Sequence, residues 1–386
     1  MSEISIESLV RQIHAARGQL VLAITGGGSR AIGDLLSVPG GSRTVLEAVV
    51  PYSAEALIEF LHVRPEQFCS PRTARLMAMA AWQRARHLQA AREKPDDLPS
   101  VGVGCTASLA SDKPKRGAHR IHIAVQTASF TSTHSLELAK GGRARGGEEE
   151  IAAKMALNAV AEGFGLNDHL PLPLTKNEKV ESRRTTMGET WRDLLIGRVR
   201  SVAFGRPQGS VQSPRAIFPG AFNPLHAGHL RMAQIAAQRL GVPVELEISI
   251  ENVDKPPLDY MEIGERAAEF TEKHLPFWFT RSPTFVEKAE LFPGAVFVVG
   301  ADTLARIGHC RYYGNDPATA EAAIARIAKN GCRFLVFGRL VDGDFRSLND
   351  LGLPASLRQL CDEISCDDFR EDISSTDVRN AADAET

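Results

Sequence analysis

The chain of 386 residues has only six cysteines, and none of them form a C-x-x-C pair. Cys69, Cys105, Cys310, Cys332, Cys361 and Cys366 are scattered along it. That scatter argues against a zinc ribbon or a disulfide scaffold, and no metal site is read from it. It suits reduced thiols, so a cytoplasmic protein is expected. No apolar run approaches the ~20 residues of a membrane span. The opening stretch, MSEISIESLVRQIHAARGQL, lacks the apolar centre of a signal peptide and reads as a polar start before an amphipathic helix. Formal net charge is only -2, so no global field favours nucleic acid or an anionic membrane, and neither is expected as a partner. The glycine run at residues 26–28 is not followed by G-K-[ST], which excludes a P-loop.

What is present is an ordinary globular composition, 43% hydrophobic and 24% charged. A chain this long exceeds one core, so two domains are expected. The boundary is placed in a linker at 171–212, between a domain at 1–170 and another at 213–386. Both ends of that stretch, NDHLPLPLTKNEKVESRRTT and FGRPQGSVQSP, are rich in Pro, Gly, Ser and charge. WRDLLIGRVRSVAF between them is read as a helix. KGGRARGGEEE, at 140–150, suits an exposed loop before the helix EIAAKMALNAVAEGFG.

Both halves alternate short apolar runs with helical periods. GQLVLAIT, VLEAVVPYS, SVGVGCTA and RIHIAVQTA are the runs of the first half. RAIFPG, VELEISI, FWFTR, AVFVVGA and CRFLVFGR are those of the second. Such alternation predicts two α/β domains, the second a Rossmann-like parallel sheet covered on both faces.

The stretch PGAFNPLHAGH, 219–229, holds two histidines three apart, directly after a turn-forming run. A strand ends in AIF, the chain turns, and HAGHLRMAQIAAQRLG forms a helix ending near Gly241. His226 and His229 then fall in the first helical turn at the carboxyl edge of a parallel strand, where open α/β sheets bind ligands. The helix start offers unpaired N–H groups and a positive dipole end. Gly228 between the rings leaves room for a phosphate. Imidazole N–H donors there suit transfer at phosphorus, where charge on the non-bridging oxygens must be held. Near the other end, DISSTDVR, 372–379, brings Ser374, Ser375, Thr376 and Arg379 to a helix start; hydroxyls and a guanidinium suit a triphosphate tail.

Together, H-x-G-H and I-S-S-T-x-x-R resemble the nucleotidylyltransferase superfamily, especially nicotinate and nicotinamide mononucleotide adenylyltransferases. The resemblance covers residues 213–386. It implies attack by a mononucleotide phosphate on the α-phosphorus of ATP, with Mg²⁺ accompanying the triphosphate and pyrophosphate released. It implies that His226 and His229 stabilise the transition state and that Phe222 and Asn223 sit where the family's backbone and side chain line the phosphate pocket. FVVGADTLARI, 297–307, is similar to the family's G-x-D strand end, which sets Gly300 and Asp302 beside the nucleotide. NVDKPPLDY, 252–260, resembles its substrate-covering loop. Lys255, Arg266 and Tyr312 are weaker substrate-side candidates. A cytidylyl donor, another phosphorylated acceptor such as phosphopantetheine, and a non-catalytic nucleotide-binding regulator stay open.

In the first half, TGGGSR follows a strand and precedes a helix, which makes a plausible anion cradle from Thr25, Gly26, Gly27, Gly28 and Ser29. T-G-G, V-P-G-x-S and V-V-x-Y-S, the last containing Tyr52, resemble the CinA C-terminal family, which includes nicotinamide mononucleotide deamidases. The family's nucleophilic serine falls where this chain has Ala23 and Ile24, and its lysine where this chain has Leu57. The domain is therefore expected to keep a nucleotide-binding shape, to have lost or changed the hydrolysis, and to serve binding or assembly of a homo-oligomer.

Overall fold

The computed structural model describes residues 4–92, 98–113, 115–206, 215–252, 256–341, 344–365 and 367–369. Ser374, Ser375, Thr376, Arg379 and Lys255 lie outside these. The chain forms two compact units, Met1–Arg192 with Asp254–Glu262, and Asp193–Val253 with Ile263–Thr386.

The first unit holds strands β1 (Gln19–Thr25), β2 (Val45–Val49), β3 (Ser100–Ser108), β4 (His119–Gln126), β5 (Phe130–Leu138) and β6 (Glu181–Thr186), in the order β2-β1-β3-β4-β5-β6. β1 runs parallel to β2 and β3, and every pairing from β3 to β6 is antiparallel. Its helices are α1 (Ile6–Ala15), α2 (Arg30–Ser37), α3 (Gly41–Thr44), α4 (Ala54–Leu61), α5 (Pro71–Ala90) and α6 (Arg145–Gly163). The run QLVLAIT is apolar throughout because both faces are covered. Leu20, Leu22 and Ile24 pack with α1 and α6, whereas Val21 and Ala23 pack with α4 and α5. Glycines set the distance on the α5 face. A Cβ on Gly102 would lie 2.2 Å from the Ala78 carbonyl oxygen, and one on Gly104 2.4 Å from that of Ala74. The V-G-V-G pattern thus lets a helix backbone rest on a strand backbone.

The second unit holds β7 (Ser201–Phe204), β8 (Ala216–Pro219), β9 (Val244–Ser249), β10 (Phe277–Thr280), β11 (Val296–Gly300), β12 (Arg333–Phe337), the short ribbon β13 (Arg339–Val341) and β14 (Asp344–Arg346), and β15 (Cys361–Ile364). The helices are α8 (Ala227–Leu240), α10 (Phe285–Leu291), α11 (Ala301–Gly308), α12 (Pro317–Lys329) and α13 (Ala355–Arg358), with α7 (Glu189–Ile196) and α9 (Tyr260–Glu272) divided between the units. The main sheet runs β15-β12-β11-β8-β9-β10-β7, parallel except for β7, which pairs antiparallel with β10. Chain order proceeds from β8 to β9 and β10 on one side and then from β11 outward on the other. The topological switch point therefore lies between β8 and β11. Phe297, Val299, Phe334 and Val336 pack with Leu304 and Ile327 in the core on one face.

The stretch 171–212 is more than a linker. β6 pairs with β5 from Ser135↔Glu181 to Phe130↔Thr186, and β7 pairs with β10. An edge strand such as ESRRTT is exposed along most of its length, so its polarity reads like that of a connector. Residues 145–150 are likewise helix rather than loop. Glu148 is fully buried against His119 at 2.7 Å, a tertiary partner that local glycine content conceals. The segment read as a substrate-covering loop, 252–260, ends firmly anchored in the first unit. The Asp259 carboxylate accepts from Arg75 at 2.7 Å, and the Tyr260 hydroxyl donates to the Ala128 carbonyl at 2.6 Å.

Candidate active site

At the end of β8 the chain turns through residues 220–225 into α8. His226 is the N-cap residue, in extended conformation, and His229 occupies the third helical position. The first histidine thus stands just ahead of the helix rather than inside its first turn. The two rings stack on each other, with centroids 3.6 Å apart and planes 26° from parallel. The backbone N–H of His226 donates to Nδ1 of His229 at 3.3 Å. An accepting Nδ1 places the proton of the neutral ring on Nε2, which leaves Nε2–H as a donor. Gly241 closes the helix in the left-handed region, where the sequence places its end.

Aromatic rings support His229. Phe222 meets it edge-on at 5.0 Å, and Phe218 at 6.0 Å. Burial, and then the neighbouring His226, push its pKa down to about 3. His229 is therefore a neutral donor at physiological pH, a form that polarises an oxygen without bringing a buried charge. In the unfolded chain the same imidazole binds its proton near the ordinary ~6.5. Its contribution to stability is complete above that value and is lost as pH falls toward about 3. Allowing for partial exposure, this is about 1–2 kcal/mol between pH 7 and pH 5. Unfolding of wild type and His229→Gln compared across that range should show a shallower acid limb in the variant; equal slopes would refute the assignment.

The Phe222 side chain packs inward, away from the turn surface. It is 1% exposed, with φ at +43°, and packs against Phe218 and Phe270. Arg266, read as a substrate-side candidate, is likewise buried. It is 6% exposed, and its Nε donates to the Ala221 carbonyl at 3.1 Å, so it braces the turn from α9. Glu269, one helical turn on, accepts from the Leu225 N–H at 3.5 Å. Gly300 ends β11, the strand beside β8, and caps α11, whose first turn carries Asp302. Among the described residues, a Cβ at Gly300 would meet nothing within 4 Å. His226, His229, Gly300 and Asp302 thus flank the switch point from neighbouring carboxyl ends. Tyr312 lies in a short helix after α11 with the Arg311 guanidinium 5.2 Å from its ring centre.

A feature missed in the sequence lies beneath the turn. The Glu247 carboxylate on β9 is wholly buried and receives Lys288 Nζ at 2.7 Å and Thr280 Oγ1 at 2.5 Å. Its backbone carbonyl accepts from the Gly220 N–H at 2.9 Å. VELEIS carried the signal: a central parallel strand is covered on both faces, so a glutamate there needs a buried partner.

The glycine cradle of the first unit is built as expected but is already filled. Thr25 ends β1, and a Cβ on Gly26, at φ +76°, would fall 1.9 Å from the Ala107 carbonyl oxygen. The donors that follow converge on Glu149 of α6. Gly28 N–H reaches its carboxylate at 2.8 Å, Ser29 Oγ at 3.2 Å and Arg30 N–H at 3.2 Å. A protein carboxylate thus takes the place read for a phosphate and presents like charge to an incoming anion. Glu149→Ala should cost about 1–3 kcal/mol by leaving the start of α2 unpaired, and Glu149→Gln less, as read by thermal unfolding. Unchanged melting of the alanine variant would refute the capping role. Ala23 and Leu57 belong to one apolar cluster with Leu61 and Met77. Tyr52 is 67% exposed.

Residues 217–381 match the family model described as cytidylyltransferase-like. Among solved structures, the chain is similar to the competence/damage inducible protein CihA from Agrobacterium tumefaciens, with 22% identity over 44% of this chain and 100% of that one and a TM-score of 0.33. A competence-damaged protein from Escherichia coli gives 15% identity over 41% and 88%, with a TM-score of 0.29. One from Enterobacter asburiae gives 14% over 42% and 98%, with a TM-score of 0.33. All three align with the N-terminal part. No curated protein matches the chain. No helix among the described residues is long and apolar enough to cross a membrane.

Proposed function

We propose, for a chain in which a cytidylyltransferase-like domain follows a separate α/β domain, that the second unit transfers an adenylyl group from ATP to the phosphate of a pyridine mononucleotide. The observation that carries the transfer chemistry is the placement of His226 and His229 at the end of β8, next to the end of β11, across the switch point. An acceptor phosphate oxygen attacks the α-phosphorus, and the bond to pyrophosphate breaks. The Nε2–H of His229 and the start of α8 meet the charge on the non-bridging oxygens. Arg266 and Glu269 hold the turn that aims them. The donor enters as its Mg²⁺ complex. Mg²⁺ keeps phosphate and water ligands, so it needs no cage of protein side chains.

The choice of ATP and of nicotinamide or nicotinate mononucleotide rests on the resemblance of the two motifs. A cytidylyl donor is the second reading, favoured by the description of the matching family model. In this reading the first unit performs no amide hydrolysis at the glycine cradle, because Glu149, Ala23 and Leu57 stand where that chemistry needs an open site and a nucleophile. Pyrophosphate release is measured with ATP or CTP against nicotinamide mononucleotide, nicotinate mononucleotide and phosphopantetheine. Release with ATP and one pyridine mononucleotide is expected. Release with CTP or phosphopantetheine alone would transfer the reading to that pair, and no release with any pair would leave a nucleotide-binding regulator.

A further inference from the structure

The open edge of the first sheet holds a second cluster, set by strand register. His134 on β5 lies directly opposite Ser182 on β6, and Ser132 opposite Arg184. Residues two apart on a strand share a face, so all four side chains project to the same side. Glu162, near the end of α6, completes the group. The Ser182 Oγ lies 2.8 Å from Nδ1 of His134, and Nε2 of His134 lies 2.7 Å from the Glu162 carboxylate. His134, Glu162, Ser182 and Arg184 line a cavity of about 490 Å³ whose other walls include Met155, Leu166 and Leu172.

We propose that Ser182, His134 and Glu162 form a nucleophile–base–acid relay that hydrolyses carboxylic esters with short apolar acyl groups. The tautomer follows from the partners. Glu162 is buried enough to raise its pKa, yet bonds from His134 and Ser132 and the Arg184 guanidinium hold it below the usual carboxylate range. An ionised carboxylate only accepts, so Nε2 of His134 carries the proton and Nδ1 is free to accept from the Ser182 hydroxyl. The serine is exposed and the base oriented, as a nucleophile requires. Ser182 Oγ attacks the ester carbonyl carbon while its proton moves to Nδ1. The C–O bond to the alcohol then breaks, and the alcohol leaves with that proton. Water attacks the acyl-serine by the same route, so one ester and one water yield one acid and one alcohol. Arg184 lies over the Phe130 ring, 3.7 Å from its centre, and its Nη1 donates to the Glu162 carboxylate at 3.3 Å, which fixes the acid of the relay. The apolar walls set the acyl preference.

The full chain is treated with a fluorophosphonate probe and assayed with p-nitrophenyl acetate and butyrate. The expected result is one adduct mapped to Ser182 and turnover that Ser182→Ala lowers by ~10³-fold or more. His134→Gln should abolish labelling. Because Ser182 is exposed on an edge strand, its alanine variant keeps the fold, which circular dichroism checks. Wild-type protein that takes no label at Ser182, or a Ser182→Ala variant that hydrolyses the esters as fast as wild type, would overturn the proposal.

Discussion

His229→Ala is expected to lower the rate of pyrophosphate release by ~10² or more, with KM for the acceptor little changed. The reason is geometric. The ring is fixed by the N–H of His226 at Nδ1 and by Phe222 beside it, so its one remaining proton, on Nε2, is a preorganised donor. Such a donor acts where charge develops at phosphorus and does little for the bound ground state, so kcat should carry the loss. His229→Gln keeps an N–H on a more flexible arm and should fall between. Because His229 is neutral down to about pH 3, the rate should show no acid limb from its titration near pH 6. Retained wild-type turnover in the alanine variant, with melting unchanged, would remove His229 from the chemistry.

Lys288→Met should destabilise the second unit by about 3–5 kcal/mol, because it strands the Glu247 carboxylate in the core. Glu247 is fully buried and Lys288 is 6% exposed along its side chain. The Thr280 hydroxyl remains as a partner but brings no charge. The melting transition should fall by roughly 10 °C or more for a unit of this size. A buried pair removed together is far less costly than one partner removed, so Glu247→Leu combined with Lys288→Met should regain most of the loss. The strand also holds the turn through Gly220, so the single variant should lose transfer activity along with stability. A single variant that melts like wild type would show that the pair is not closed to water.

Local patterns made most elements legible. The apolar runs named in the second half became β8, β9, β10, β11 and β12, and the helix after the two histidines ends at Gly241. The last two strands of the first sheet escaped notice because β5 and β6 carry polar residues at most positions, FTSTHSLEL and ESRRTT, as strands near a sheet edge do. At the site, the histidines and the G-x-D turn were visible because each motif is short and contiguous. The buried role of Phe222 was not, since an aromatic in a turn reads the same whether it faces a ligand or the core.

The sequence alone determined two α/β units and the helix start beside which His226 and His229 stand. Only tertiary structure decided that β8 and β11 are neighbours, that Arg266 turns inward to brace, and that Glu149 fills the glycine cradle. The reason is distance along the chain. Capping, turn chemistry and periodicity act over a few residues and leave a local trace. The partner of Gly28 lies 121 positions away and that of Glu247 lies 41 away. Until the fold brings such partners together, a charged side chain is indistinguishable from one that points into water.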